Sequence, residues 1–233
     1  MKSSFGSTKT LLISAVLILS VAGRADAVTV GMVDDFEVGT TSGWGGGAPT
    51  ANAPDAGPAG IGDNALSVNV TGGRVAVVNT AQWTGNFDAA GVTTILVDVR
   101  HQNAFNLQLR LGMASGVVGP GGSGDTYVSA AAVPVANDGL WHRIAFNFSA
   151  AAFIPHAANS NPAPNAAAAL SSVSHLRILH NPAANFLGAN GPATFFLDNI
   201  RAVPEPTGAA MAALALGALG LTRRNGRRPR HEL

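Results

Sequence analysis

Cleaving a glycosidic bond takes two carboxylates facing each other across a cleft. Between Val28 and Val203 this chain offers one glutamate, Glu37, and nine aspartates. Glu37 stands near the start of that segment, Asp98 lies in an alternating run, and Asp88 and Asp125 sit among turn residues. No spacing pairs any two of them. Five histidines (His101, His142, His156, His175, His180) lack the i, i+4 spacing of a helical zinc motif. His175 and His180, five apart, point to opposite faces of an extended run. Ser115 lies in Gly-Met-Ala-Ser-Gly, outside the strand–turn–helix setting that a nucleophilic serine needs. The glycines from Gly119 to Gly124 have no Lys-Ser/Thr sequel, so they do not read as a phosphate loop. There is no cysteine, which excludes thiol catalysis, thiolate metal sites and disulfides. The expectation is a protein that is not an enzyme.

The other chemistry open to such residues is sugar recognition, in which an aromatic ring meets the sugar face and polar side chains flank it. Aromatic residues are sparse, at 6%. Trp44, Trp83, Tyr127 and Trp141 are the candidates. Trp83, within Gln82-Trp83-Thr84-Gly85-Asn86, reads as the exposed one. Gln108, Arg110 and Arg143 occupy the polar phase of alternating runs, as do Asn106, Asn147, Arg100 and Arg177. Trp83, Gln108, Arg110 and Arg143 are therefore the expected carbohydrate-contacting set.

The elements that would hold these residues read as strands. Leu66, Val68 and Val70 alternate with Ser67 and Asn69; Ile95, Val97 and Val99 with Leu96 and Asp98. Leu107 to Met113, Ile144 to Phe148, Leu176 to Ile178 and Phe196 to Ile200 show the same period of two. Such alternation marks strands buried on one face. With strands near Met32–Glu37 and Tyr127–Val135, about nine are expected, by the strand signals of alternation and turn residues. Thr41 to Asn64, Ser115 to Asp125 and Ala150 to Ala169 are rich in Gly, Ala, Asn or Pro and read as loops, with room for one helical turn at Ala166–Leu170. Many short strands between glycine-rich turns favour an all-β, antiparallel jelly-roll β-sandwich.

Composition separates the ends from the middle. The segment 28–203 holds six arginines, no lysine and ten acids, a net charge of −4, whereas the whole chain is +1. A mildly acidic, lysine-free domain lacks the clustered positive charge of a nucleic-acid binder. At the N-terminus, Lys2 and Lys9 precede an apolar run, Leu11 to Val21, and an Ala25-Asp26-Ala27 site. That pattern predicts a signal peptide over 1–27, read by the export machinery and cut by signal peptidase. At the other end, Pro204-Glu205-Pro206 precedes an apolar run over 207–222 and then Arg223, Arg224, Arg227, Arg228 and Arg230. Fourteen of those apolar residues, Gly208 to Leu221, span roughly 21 Å as a helix at about 1.5 Å each. A hydrocarbon core is about 30 Å thick, so the expected anchor is marginal.

The order Pro-Glu-Pro, short apolar helix, arginine cluster over 204–233 resembles the PEP-CTERM sorting signal. The resemblance implies an exosortase-type enzyme as partner, with Pro204, Glu205, Pro206, Arg223 and Arg224 as the sorting motif. It also implies transient inner-membrane anchoring and delivery to the cell surface or extracellular matrix. The segment 28–203 carries a second resemblance. Asp34-Asp35-Phe36-Glu37-Val38-Gly39 with Trp44, Asp138-Gly139-Leu140-Trp141-His142, and Phe196-Leu197-Asp198-Asn199-Ile200 are similar to motifs of galactose-binding-like jelly rolls, including many carbohydrate-binding modules. That resemblance implies a structural Ca²⁺ held by Asp35 or Glu37, by Asp198 and by carbonyls around Gly39–Thr40. It also implies Trp141 in the core. The function to expect is an exported, non-enzymatic surface or matrix protein that meets exopolysaccharide. A purely structural matrix protein and a secreted polysaccharide-active enzyme are the alternatives.

Overall fold

A computed structural model describes residues 27–118, 124–156 and 165–204. The expected signal peptide, apart from Ala27, and the tail beyond Pro204 lie outside the described residues. Among the described residues no helix is long and apolar enough to cross a membrane.

Two antiparallel sheets pack face to face. The first has the order β10 (His142–Asn147), β6 (Thr94–His101), β13 (Ala193–Val203), β4 (Ala65–Val70), β3 (Thr50–Ala53), and β1 (Val33–Asp34) also pairs with β13. The second runs β11 (Phe153–Pro155), β8 (Asp125–Ser129), β7 (Leu107–Ser115), β12 (Val173–His180), β5 (Ala76–Asn79), β2 (Trp44–Gly45), and β9 (Val133–Val135) also pairs with β7. One helical turn, α1 (Ala166–Leu170), is capped by the Asn165 side chain, which accepts the Ala168 amide at 2.9 Å. The chain crosses repeatedly between the sheets, so each hairpin-length segment contributes apolar residues to one shared interior.

The alternating runs do what their period requires. Leu66, Val68, Ile95, Val97, Val99, Leu107, Leu109, Leu111 and Met113 are fully buried between the sheets. Phe148 joins this interior, stacking on Phe87 at 4.6 Å and edge-on against Phe153 at 5.2 Å. With no disulfide, this burial carries the fold, at roughly 1.5–3 kcal/mol for each large apolar side chain.

Three expectations change. Among the described residues thirteen strands form rather than about nine, because β2 and β3 lie inside the stretch read as a loop from Thr41 to Asn64, β11 lies inside the one read as a loop from Ala150 to Ala169, and the expected strand at Tyr127–Val135 breaks into β8 and β9. The expected strand at Met32–Glu37 keeps only Val33–Asp34, since Phe36 takes a left-handed backbone at φ 59° and ends it. In β13 a bulge between Asp198 and Arg201, with Asn199 at φ 47°, changes the phase. Phe195 and Leu197 face inward before it, Ile200 and Ala202 after it.

Trp83 is the largest correction. It is fully buried, not exposed, and so presents no ring face to a sugar. The reason is Asp34, 7% exposed on β1 and paired with the inward residue Ile200. Its Oδ2 accepts the Nε1–H of Trp44 at 2.6 Å and of Trp83 at 2.7 Å. Gln82 Nε2 donates to the same carboxylate at 3.2 and 3.3 Å, and also to the Ser42 carbonyl. The two indoles lie 6.1 Å apart. Burial raises the Asp34 pKa, and the donors Trp83, Trp44 and Gln82 pull it back. Without that acceptor the indole N–H groups would be stranded in the interior. Asp34→Ala should therefore lower the unfolding free energy by about 2–6 kcal/mol, one to three for each stranded donor. Urea unfolding of the full chain measures this; a loss below about 1 kcal/mol would mean the carboxylate does not tie the sheets.

Candidate functional site

The expected carbohydrate-contacting residues are not brought together. Gln108 and Arg110 lie on β7 of the second sheet, Arg143 lies on β10 of the first, and Trp83 is interior. Arg110 is 5% exposed and every arm of its guanidinium is used inside the protein. Its Nε donates to Asn181 O, Nη1 to Ser129 O and Ala130 O, and Nη2 to Pro182 O, all at 2.7–2.9 Å. It is a clamp on two chain turns. Gln108 is half-buried opposite Pro134.

The outer face of the second sheet is closed by the chain that follows β12. Phe186 is buried on Gly112, where an added Cβ would sit 2.9 Å from the ring. Its ring also covers the Arg177 guanidinium at 4.3 Å, and Arg177 Nη1 donates to the Phe186 carbonyl at 3.0 Å. Burial, and then the nearby Arg74, bring Arg177 down to about 10. Arg177 is thus a covered pillar, not part of an open polar surface.

The outer face of the first sheet is different, and strand register organises it into rows. In one row Arg143, Asp98 and Asp198 are successive cross-strand partners. Arg143 forks onto Asp98 with two bonds of 2.8 Å. Among the described residues Asp198 has no cation. It is fully buried, and among those residues its oxygens accept only the Asn199 amide, at 2.7 Å, and the Asn199 side chain, at 3.0 Å. Burial pushes its pKa up to about 7; the Asn199 amide opposes this, and the fields of Asp63, Asp98 and Glu37 add to it. Of the acids expected to share a cation with it, Glu37 is in this neighbourhood, its Oε1 accepting the Asn64 amide at 2.8 Å. Asp35 is exposed and accepts the Glu37 amide at 3.3 Å. Asp63, which the sequence did not single out, joins the group from the loop read over Thr41 to Asn64. Among the described residues, no three acids or histidines stand close enough to hold one metal ion.

In the next row Arg100 pairs with Phe196, and Phe196 with Ser67. Trp141 precedes His142, the partner of Val99, and so falls opposite Arg100. It is half-buried on this outer face rather than in the core. The Arg100 guanidinium carbon sits 5.0 Å from the Trp141 ring and 4.7 Å from the Phe196 ring. Beside them is a cavity of about 270 Å³ lined by Arg100, His101, Gln102, Gly139 and Phe196. A second hollow, about 470 Å³, follows along β13 and includes Asn69, Asn103, Phe105 and Thr194. Phe105 is 42% exposed there, held at 5.4 Å from the His180 ring. Asn103 fixes this end by exchanging bonds with Thr194 at 2.9 and 3.0 Å. Sequence reasoning missed Phe105, Gln102 and Phe196. The last had a readable signal: of two adjacent phenylalanines in a strand, one must face outward.

No protein-family model and no curated protein matches the chain. Among solved structures the chain is similar to a family 11 carbohydrate-binding module from Clostridium thermocellum, determined in complex with a β-1,3-1,4-mixed-linked tetrasaccharide. The identity is 20% over 76% of this chain and 98% of that one, with a TM-score of 0.51. The xylan-binding CBM22-1 domain of Paenibacillus barcinonensis Xyn10C aligns at 19% identity over 76% of this chain and 98% of that one, with a TM-score of 0.44. At 20% identity the likeness to the family 11 module speaks to architecture alone, and the architecture is the antiparallel jelly-roll β-sandwich.

Proposed function

We propose that this chain is an exported, non-catalytic protein that binds polysaccharide through the outer face of its first sheet. The observation that carries the reading is the strip along β13, where Trp141, Phe196 and Phe105 present aromatic surface beside Gln102, Asn103, Asn69 and Thr194. Aromatic faces flanked by amides and hydroxyls suit a sugar ring, which has apolar faces and a polar rim. The shared architecture with a module solved with a bound tetrasaccharide supports it. The carboxylates speak for binding rather than hydrolysis: of the adjacent pair on this face, Asp98 is occupied by Arg143 and Asp198 is buried.

The ends supply the address. The signal peptide over 1–27 sends the chain out, and the PEP-CTERM-like tail holds it at the inner membrane for an exosortase-type enzyme before delivery to the surface or matrix. Calcium belongs to the same proposal. Asp198 and Glu37, with carbonyls around Gly39–Thr40, would hold it; among the described residues no third acid stands close enough to join them, so backbone oxygens would have to complete the shell. An all-oxygen donor set with a buried, uncompensated carboxylate suits that ion. Bound there, it would lock the chain's first segment to its last strand.

For sugar binding, affinity electrophoresis of the full chain in mixed-linkage β-glucan, xylan and acidic polysaccharide gels is the test. Phe105→Ala and Trp141→Ala should each weaken retardation by roughly threefold to tenfold, the loss of one aromatic stacking contact. Absence of binding by the folded chain to every polymer would favour a purely structural matrix protein. For calcium, pH provides the test. The folded Asp198 pKa of about 7 lies above the usual 3.8, so the native state holds the proton more tightly. Its stabilising contribution is then complete below the unfolded pKa and lost as pH rises through the folded one. In EDTA, stability should fall from pH 5 to pH 8, and Asp198→Asn should flatten that fall. Calcium at pH 8 should raise the melting temperature of the wild type and not of Asp198→Asn; equal responses would remove calcium from this site.

A further inference from the structure

We infer that Arg100 is a fork for the carboxylate of a uronic acid, so that the polymer bound at this face is an acidic polysaccharide. The inference rests on the polysaccharide-binding reading and names its substrate class. Arg100 is the cation of its row, and the row holds no anion. Asp98, its neighbour on the same strand face, is taken by the two Arg143 bonds. Asp138, near the cavity mouth at Gly139, is engaged by His142 at 2.9 Å and the Leu140 amide at 2.9 Å. Among the described residues the Arg100 guanidinium has neither a hydrogen-bond acceptor nor an ion-pair partner. Nor does the row lack only one acceptor: the Trp141 Nε1–H is buried without a partner among the described residues. This is a surface with donors in excess.

The fork is also held in place. The Trp141 ring at β10's entry and the Phe196 ring on β13 lie 5.0 and 4.7 Å from the guanidinium carbon, and among the described residues no acceptor takes its N–H groups. A planar fork restrained in this way meets a carboxylate with two parallel bonds at little further ordering cost. The adjoining cavity of about 270 Å³ lies just below the range of ligand sites, which run about 300–1,000 Å³. That size suits one ring at a time, with the aromatic strip continuing toward Phe105 for its neighbours. Neutral sugars would use the strip but leave the fork empty.

The test compares polygalacturonate with the same polymer after carboxyl reduction, using isothermal titration on the full chain. Wild type should bind the acidic polymer more tightly, and the difference should shrink as salt rises from about 0.1 M to 1 M, where screening shortens from about 10 to 3 Å. Arg100→Gln should lose about tenfold to a hundredfold in affinity for the acidic polymer, the range of one charge-assisted interaction, and little for the reduced one. Arg100→Lys, which keeps the charge without the fork, should recover only part. Arg201→Gln, at an exposed arginine on β13, is the control for general charge attraction. The inference falls if Arg100→Gln binds as the wild type does, if Arg201→Gln loses as much, or if the reduced polymer binds equally well. Binding of β-glucan or xylan with no binding of polygalacturonate would defeat the uronate fork and leave the polysaccharide reading intact. Binding of none of them would defeat both.

Discussion

A single buried carboxylate ties the beginning of this domain to both of its layers. Asp34 belongs to the first sheet through β1, while Trp44 belongs to the second through β2, and Trp83 follows β5. Both indoles donate to the same oxygen. In a fold with no cysteine, that three-way bond does work a disulfide does in other domains: it holds a short first strand, only two residues of ladder, against the rest. The cost is burial of a charge, visible as a raised pKa, and the benefit is that two large aromatic residues become interior without stranding their polar atoms. It also decides which tryptophan is available to a ligand. Trp44 and Trp83 are committed to the tie, and Trp141 remains on a face.

Register then distributes chemistry over that face. A residue and its cross-strand partner share one side of a sheet, so β10, β6 and β13 together write rows. One row concentrates acid: Asp98 beside Asp198, with a single arginine for the two. The adjacent row holds a cation between two rings. Arg143 takes Asp98, and among the described residues this leaves Asp198 with no cation and Arg100 with no anion. The opposite sheet cannot play this part. Its outer residues, Arg110 and Arg177, support the chain segment that covers them, and Phe186 seals the surface.

Much of the architecture was legible because a period of two leaves little choice. Ile95, Val97 and Val99, or Leu107 through Met113, have to place one apolar face inward, and enough such runs make a two-layer β protein. The helical turn at Ala166–Leu170 was readable from local composition as well, while its Asn165 cap came only with the structure. Short strands such as β2 and β3 were hidden, because two to four residues carry no period and are held by their partners rather than by their own sequence. The bulge at Asn199 was hidden as well, so alternation through Phe196, Asp198 and Ile200 misassigned their faces.

The amino-acid sequence alone determined the β class, the absence of thiol chemistry, the scarcity of cationic charge between two basic terminal segments, and a pool of polar and aromatic candidates. Those are properties of composition and local spacing, which need no third dimension. Tertiary structure decided which candidates meet. Trp83 went inside because an acceptor forty-nine residues away was waiting for its indole. Arg110 became a clamp because carbonyls from two distant turns surround it. Arg100 was left open because its nearest carboxylate was claimed by a strand neighbour. Each outcome is a competition between partners far apart in the chain, and only the folded register brings those partners within reach.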